Sequence, residues 1–326
     1  MKLAVLGSGS WGSALAVHFG RLGFEVFQWC REEEVARQIN LKKENAVFLP
    51  GIPYPESVRG TTSVAEAVDG AGFVLSVIPT QYTPPFWREN RELLSGRPLI
   101  CASKGIEVRT LKTLSQIYRE IFGSEENYFV LSGPTFALEV ARGLPAAAVI
   151  SNLSSERALD VAGVLSSRNF RFYASSDVLG VELGGALKNV IAIATGISDG
   201  MGLGNNARAA LITRGLHEIK RLGKAMGARE ETFYGLSGLG DLVLTCTGEL
   251  SRNRQFGLSI GRGEGGVSGR FVVEGVHTVK AAVKLARELS VEMPITEAVY
   301  KIVHEDFSPG EVMEELLSRP VKEESL

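Results

Sequence analysis

Lys188 lies in a run with helical character, and the residues three and four positions away on either side are Gly184, Gly185, Ile191 and Ala192. None carries a carboxylate. Apolar surroundings desolvate a lysine and lower its pKa toward the range in which an amine exchanges protons near neutrality. Lys188 is therefore a candidate general acid/base; were its substrate an alcohol, oxidation would also need a hydride acceptor and an electrostatic partner for the developing alkoxide. The competing reading is a lysine that reaches out of the end of a core helix. The four histidines, His18, His217, His277 and His304, sit in no motif that suggests catalysis. Asp241 falls in the apolar stretch 239–244, where an ionised carboxylate must find hydrogen bonds or a cation. It suits orienting Lys188 and a substrate hydroxyl, or capping the next helix, and the two are compatible. Ser251, Arg252 and Asn253 resemble a helix start that gathers a hydroxyl, a forked guanidinium and free amide donors, a local phosphate site. A capped surface helix with scattered arginines would read the same way.

The hydride acceptor has its own signal. Gly7, Gly9 and Gly12 form G-S-G-S-W-G directly after an apolar run, Lys2–Leu6, and open a helix-compatible segment. In a βαβ unit the first glycine permits the tight turn, the second lets backbone approach a pyrophosphate, and the third allows close helix–strand packing. The expected cofactor is NAD(H) or NADP(H). Where many NAD-binding chains carry an acidic residue at the end of the second strand, this one has Arg31. A guanidinium there could pair with a 2′-phosphate or stack on adenine, or be neutralised in solvent by Glu32, Glu33 and Glu34.

These groups need a scaffold. Short β-branched runs at Lys2–Leu6, Glu25–Trp29, 73–78, 99–102 and 129–131 alternate with helical stretches, with further strands at 147–150 and 170–173. That alternation predicts an α/β fold: a Rossmann-type, doubly wound N-terminal domain with a parallel sheet covered on both faces. Beyond Ala174 the β-like runs give way to helical segments, so residues 1–174 read as the dinucleotide-binding domain and 175–326 as a mostly α-helical substrate domain. Asp177 would cap a helix running through Glu182, Lys188 and Ile193, and a second helix is expected over 206–226. Residues 261–269 read as a mobile loop and 323–325 as a frayed end.

Composition narrows the function classes. Lysine plus arginine number 35 against 37 aspartate plus glutamate, a formal charge of -2 that offers no broad footprint for nucleic acid or an anionic membrane. Any anion must be held locally. Cys30, Cys101 and Cys246 are scattered, with no paired spacing for zinc, and fit a reducing cytoplasm. No metal site is expected. The start of the chain has no secretory-signal character, and no uninterrupted apolar run reaches the roughly 20 residues that span a bilayer.

Taken in order, a series of blocks resembles the bacterial NAD(P)-dependent glycerol-3-phosphate dehydrogenases. They are the glycine turn, N-x-x-F-L-P from Asn45, S-K-G from Ser103, S-G-P-T-F-A from Ser132 and E-L-G-G-A-L-K-N-V-I-A from Glu182. G-L-G-D-L-V-L-T-C from Gly238, S-R-N-R from Ser251, V-V-E-G from Val272 and E-M-P-I-T from Glu292 complete the series. The resemblance implies exchange of hydride between NAD(P)H and dihydroxyacetone phosphate, giving sn-glycerol 3-phosphate for phospholipid synthesis. It implies cofactor contacts at Ser10, Trp11, Arg31, Lys104, Ala137, Arg252, Val272 and Glu274. On the substrate side it implies Lys104, Gly133, Thr135, Lys188, Asp241, Ser251, Arg252 and Asn253, with Lys188 as proton acceptor and Lys104 bridging cofactor and substrate. Lys104 is otherwise an unremarkable loop lysine after an apolar strand. Trp11 stands where relatives carry tyrosine or phenylalanine, which keeps a stacking surface and loses a hydroxyl. The reading needs a small-molecule substrate and no nucleic acid or integral membrane partner; a homodimer is compatible with it. Rival readings are a ketopantoate or 6-phosphogluconate type dehydrogenase, which S-R-N-R and G-L-G-D-L argue against, and a regulatory protein that senses NAD(P)H without turnover.

Overall fold

The computed structural model describes residues 1–265, 272–318, 320 and 323. Of the expected loop at 261–269, residues 266–269 lie outside the described residues and Gly261 ends a helix; of the frayed end, residues 324–325 lie outside them. By internal packing the chain forms two units: Met1–Ser103 with Leu114–Val178, and Lys104–Thr113 with Leu179–Leu326. The second therefore takes in a ten-residue stretch borrowed from the first half of the sequence.

The first unit is built on eight strands: β1 (Lys2–Leu6), β2 (Glu25–Trp29), β3 (Val58–Thr61), β4 (Phe73–Ser76), β5 (Leu99–Cys101), β6 (Tyr128–Ser132), β7 (Ala146–Ser151) and β8 (Phe170–Ser175). Their order is β3-β2-β1-β4-β5-β6-β7-β8. Leu3, Ala4, Val5 and Leu6 are fully buried, as expected for a central strand of a parallel sheet covered on both faces. Two features depart from the sequence expectation. The edge strand β3, V-R-G-T, is too short and too polar to announce itself, yet it pairs in register with β2. And β6 and β7 run antiparallel, whereas every other neighbouring pair is parallel. Strand order reverses at β1, between β2 and β4, the kind of switch point where open α/β sheets bind ligands at the carboxyl ends of strands.

In the second unit the helix Val178–Gly200 begins immediately after Asp177 and is followed by Gly204–Ala225. The first of these is 23 residues long and apolar enough to cross a membrane by length and composition, although Glu182 and Lys188 interrupt its apolar run. Its apolar window is 94% buried within the protein, so the hydrophobicity is that of a core helix. Leu183, Leu187, Val190, Ile191 and Ile193 join Phe233, Leu242, Val279 and Val283 in one apolar cluster. Against this central helix lies Arg252–Gly261, and the crossing is close because it is lined with glycine. A Cβ on Gly257 would sit 2.1 Å from the carbonyl oxygen of Ile193, and one on Gly196 would sit 2.1 Å from that of Arg254. Only hydrogen fits at these positions.

Candidate active site

Lys188 is turned inward on the central helix, 7% exposed. Its Nζ donates to Oδ1 of Asp241 at 2.5 Å and to Oγ1 of Thr245 at 2.8 Å. Lys104, on the borrowed stretch, donates from Nζ to the other oxygen of the same carboxylate, Oδ2, at 2.6 Å. One buried carboxylate, 1% exposed, thus bridges two ammonium groups. Asp241 is the first residue of the helix Asp241–Thr247 and makes no capping bond there; its side chain is given to the lysines. Thr245, one turn on, donates its own hydroxyl hydrogen to the carbonyl of Asp241 at 2.6 Å, so it faces Lys188 as an acceptor.

The electrostatics follow from that geometry. Burial pulls the Lys188 pKa down from 10.5 to about 8, with the positive charge of Lys104 acting in the same direction and Asp241 opposing both. With both lysines protonated the trio carries one net positive charge, in surroundings where it is poorly screened. An ammonium has three N–H donors, and the bonds to Asp241 and Thr245 use two of those on Lys188. The third has no acceptor among the described residues.

The helix Arg252–Gly261 supplies the remaining polar groups. Ser251 is its N-cap, with Oγ accepting from the N–H of Arg254 at 3.2 Å, and is 3% exposed. Asn253 donates through Nδ2 to Oδ1 of Asn189 at 2.8 Å and accepts the N–H of Gly275 at 2.9 Å. It therefore ties the residue next to Lys188 to the start of the helix Glu274–Glu288. Arg252 is exposed at the helix start. Arg254 is turned away: it grips Asp199 through Nε at 2.9 Å and Nη2 at 2.6 Å, while Arg208 holds the other carboxylate oxygen at 2.7 Å. Thr245, Asn189 and Asp199 were not singled out by the sequence. Thr245 sits at i+4 from Asp241, where a helix would bring the two together, and that spacing was the available signal.

In the first unit the glycine turn fits a dinucleotide. Gly7 has φ +123°, and a Cβ there would meet the carbonyl oxygen of Val77 at 2.8 Å. A Cβ on Gly12 would lie 2.2 Å from the carbonyl oxygen of Gly7, whereas one on Gly9 would meet nothing within 4 Å. The turn and the packing thus demand glycine at both ends and leave its middle open. Gly9 caps the helix Ser10–Arg21 with no side-chain bond, so the first-turn amides of Ser10, Trp11 and Gly12 present donors at a helix N-terminus. The indole Nε1 of Trp11 is buried with no partner among the described residues. Arg31 follows β2; its side chain is 78% exposed and paired with Glu32 at 2.7 Å, while Glu34 engages Arg37. Gly133 and Thr135 follow β6, and Ala137 opens the short helix Ala137–Ala141. Val272 precedes and Glu274 begins the helix Glu274–Glu288 in the second unit.

A cavity of about 700 Å³ in the second unit, lined by Ile197, Met201, Leu211, Ile295 and Val299, contains none of these residues. The cluster at Lys188 is defined by its polar geometry, and cavity size does not point to it.

Residues 2–158 match the N-terminal domain, and residues 177–314 the C-terminal domain, that define the NAD-dependent glycerol-3-phosphate dehydrogenases. A glycerol-3-phosphate dehydrogenase [NAD(P)+] of Oleidesulfovibrio alaskensis is 49% identical over 330 aligned residues, covering 99% of this chain and 100% of its own. The crystal structure of a glycerol-3-phosphate dehydrogenase from Coxiella burnetii superposes with a TM-score of 0.92 at 38% identity, covering 98% of this chain and 99% of its own. A ketopantoate reductase from Ralstonia eutropha has a TM-score of 0.60 at 14% identity, a likeness of fold alone.

Proposed function

The chain belongs to the NAD-dependent glycerol-3-phosphate dehydrogenase family, and on that premise we propose that Lys188 is its proton-transferring group. The enzyme is an NAD(P)-dependent oxidoreductase that interconverts sn-glycerol 3-phosphate and dihydroxyacetone phosphate. The observation that carries the proposal is the carboxylate of Asp241 bridging Lys188 and Lys104. When bound, the nicotinamide ring supplies or accepts the hydride. In reduction, Lys188 Nζ gives its free proton to the oxygen that was the ketone; in oxidation the neutral amine takes the hydroxyl proton. Asp241 keeps the ammonium charged to a useful pH and fixes its direction, and Thr245 holds a second donor so that one N–H remains aimed elsewhere. Lys104 adds positive charge where negative charge develops on the substrate oxygen.

The phosphate is assigned to Arg252 with Ser251 and Asn253 at the helix start, where a guanidinium and the helix N-terminus offer charge-assisted donors. Gly133 and Thr135 keep the substrate role that the family resemblance implies. The dinucleotide is assigned to Gly7, Gly9 and Gly12 with Ser10 and Trp11, whose indole N–H, without a partner among the described residues, is one available donor. Arg31, Lys104, Ala137, Arg252, Val272 and Glu274 complete the proposed cofactor contacts. The reading also carries a cytoplasmic homodimer that feeds phospholipid synthesis. Three buried free cysteines suit a reducing compartment.

Lys188→Ala tests the central assignment. Turnover should fall by at least about 10²-fold, the lower scale for a positioned acid or base, with NADH binding retained. Near-normal kcat in a folded variant would overturn it.

A further inference from the structure

Beneath the glycine turn lies a set of buried polar side chains that no step above uses. Gln28 on β2 donates from Nε2 to the carbonyl oxygen of Gly7 at 3.0 Å. Asn45 donates from Nδ2 to the carbonyl oxygen of Ser8 at 2.8 Å, and Ser13 Oγ donates to the same oxygen at 3.1 Å. Asn45 is itself oriented, its Oδ1 accepting the N–H of Phe48 at 3.1 Å. Tyr54 donates its hydroxyl to Oε1 of Gln28 at 3.1 Å, which leaves the Nε2 end pointing at the turn. Gln28, Asn45 and Ser13 are all 0% exposed.

The consequence lies in the peptide planes. In a trans peptide the C=O and N–H groups point in opposite directions, and no peptide bond here is cis. Holding the Gly7 and Ser8 carbonyls toward the core turns the N–H groups of Ser8 and Gly9 the other way. Neither amide finds an acceptor among the described residues. They stand beside the free amides of Ser10, Trp11 and Gly12 at the helix start. Successive backbone donors aimed to one side form an anion-binding concavity, and its affinity depends on the planes being set in advance.

We propose that Gln28 and Asn45 are positioning residues for cofactor binding: from below, they lock the two peptide planes whose amides receive the pyrophosphate. The proposal rests on reading residues 7–12 as the pyrophosphate site. It also gives a physical use to N-x-x-F-L-P, in which Asn45 is oriented by the backbone of Phe48.

The test uses Gln28→Met and Asn45→Leu, which remove the donors at similar volume and introduce no charge. ADP-ribose, the pyrophosphate-bearing part common to both cofactors, is titrated against each full-length protein. KM for dihydroxyacetone phosphate is measured at saturating NADH, and thermal unfolding is followed without ligand. The expected result is a rise of about tenfold or more in the Kd of ADP-ribose and NADH, with KM for dihydroxyacetone phosphate within about twofold of wild type. Unchanged ADP-ribose affinity in the folded variants would overturn the proposal, as would an equal rise in both quantities, which would mean general loosening. Failure of the wild type to bind ADP-ribose would instead remove the underlying site assignment. If Asn45→Leu does not fold, Gln28→Met and Tyr54→Phe carry the same comparison.

Discussion

Replacing Asp241 with asparagine keeps the shape of the lysine bridge and removes its charge. Lys188 has a pKa of about 8 because burial and Lys104 pull it down while Asp241 holds it up. An opposite charge in direct contact is worth about one to three pKa units, so its loss should bring Lys188 to about 6. At about pH 7.5 the protonated fraction then falls from roughly three-quarters to roughly one-thirtieth, and reductive kcat should drop about 25-fold from ionisation alone. Oxidation uses the neutral amine, whose fraction rises from roughly one-quarter to nearly all, so ionisation alone should raise oxidative kcat about fourfold at the same pH. The assay is the pH dependence of kcat in both directions, with absorbance of the reduced cofactor as readout and thermal unfolding run in parallel. A reductive profile that still breaks near pH 8, with kcat within about threefold of wild type, would refute the argument that the Asp241 charge governs Lys188.

In the wild type, the Lys188 pKa of about 8 predicts that reductive kcat falls as pH rises through about 8, while oxidative kcat rises toward a plateau there. Because this pKa lies below the unfolded value of 10.5, the folded state binds fewer protons between about 8 and 10.5. This site's contribution to unfolding free energy therefore rises with pH across that window, visible as a difference between wild type and Lys188→Met in denaturant titrations. Arg252→Ala should raise KM for dihydroxyacetone phosphate by about ten- to a hundredfold, the scale of one charge-assisted hydrogen bond, with a lesser effect on kcat; an unchanged KM would remove it from the phosphate site. Gly257→Ala places a methyl 2.1 Å from the carbonyl oxygen of Ile193 and must push two helices apart. It should cost about 1–3 kcal/mol in stability and raise KM as Asn253 shifts from Asn189, measured by thermal unfolding and steady-state kinetics.

Much of the scaffold was legible in one dimension because its signals are local. The apolar runs of β1, β2, β4 and β5 stand out since a buried parallel strand needs hydrophobic residues on both faces, and the glycine spacing after β1 reflects the steric demands of a single turn. Strand β3 was silent because four residues including Arg59 and Gly60 at a sheet edge carry no pattern. The antiparallel direction of β7 was equally hidden, since a strand's residues record burial and not the sense in which it enters the sheet. The transmembrane-like hydrophobicity of Val178–Gly200 reflects burial on all sides, a property of its neighbours.

The sequence by itself determined which residues were able to do the chemistry: a lysine without a local carboxylate, an aspartate in an apolar stretch, a serine–arginine–asparagine helix start and a glycine turn. Which of them meet was settled by packing. Lys188 and Asp241 are 53 residues apart, and Lys104 and Asp241 are 137 apart, so no local periodicity could assign their charges to one another. The fold brings the ten-residue stretch beginning at Lys104 into the second unit and lets Gly196 and Gly257 draw two helices close. The shift in the Lys188 pKa follows from burial and from those two distant charges, and each exists only once the chain has packed.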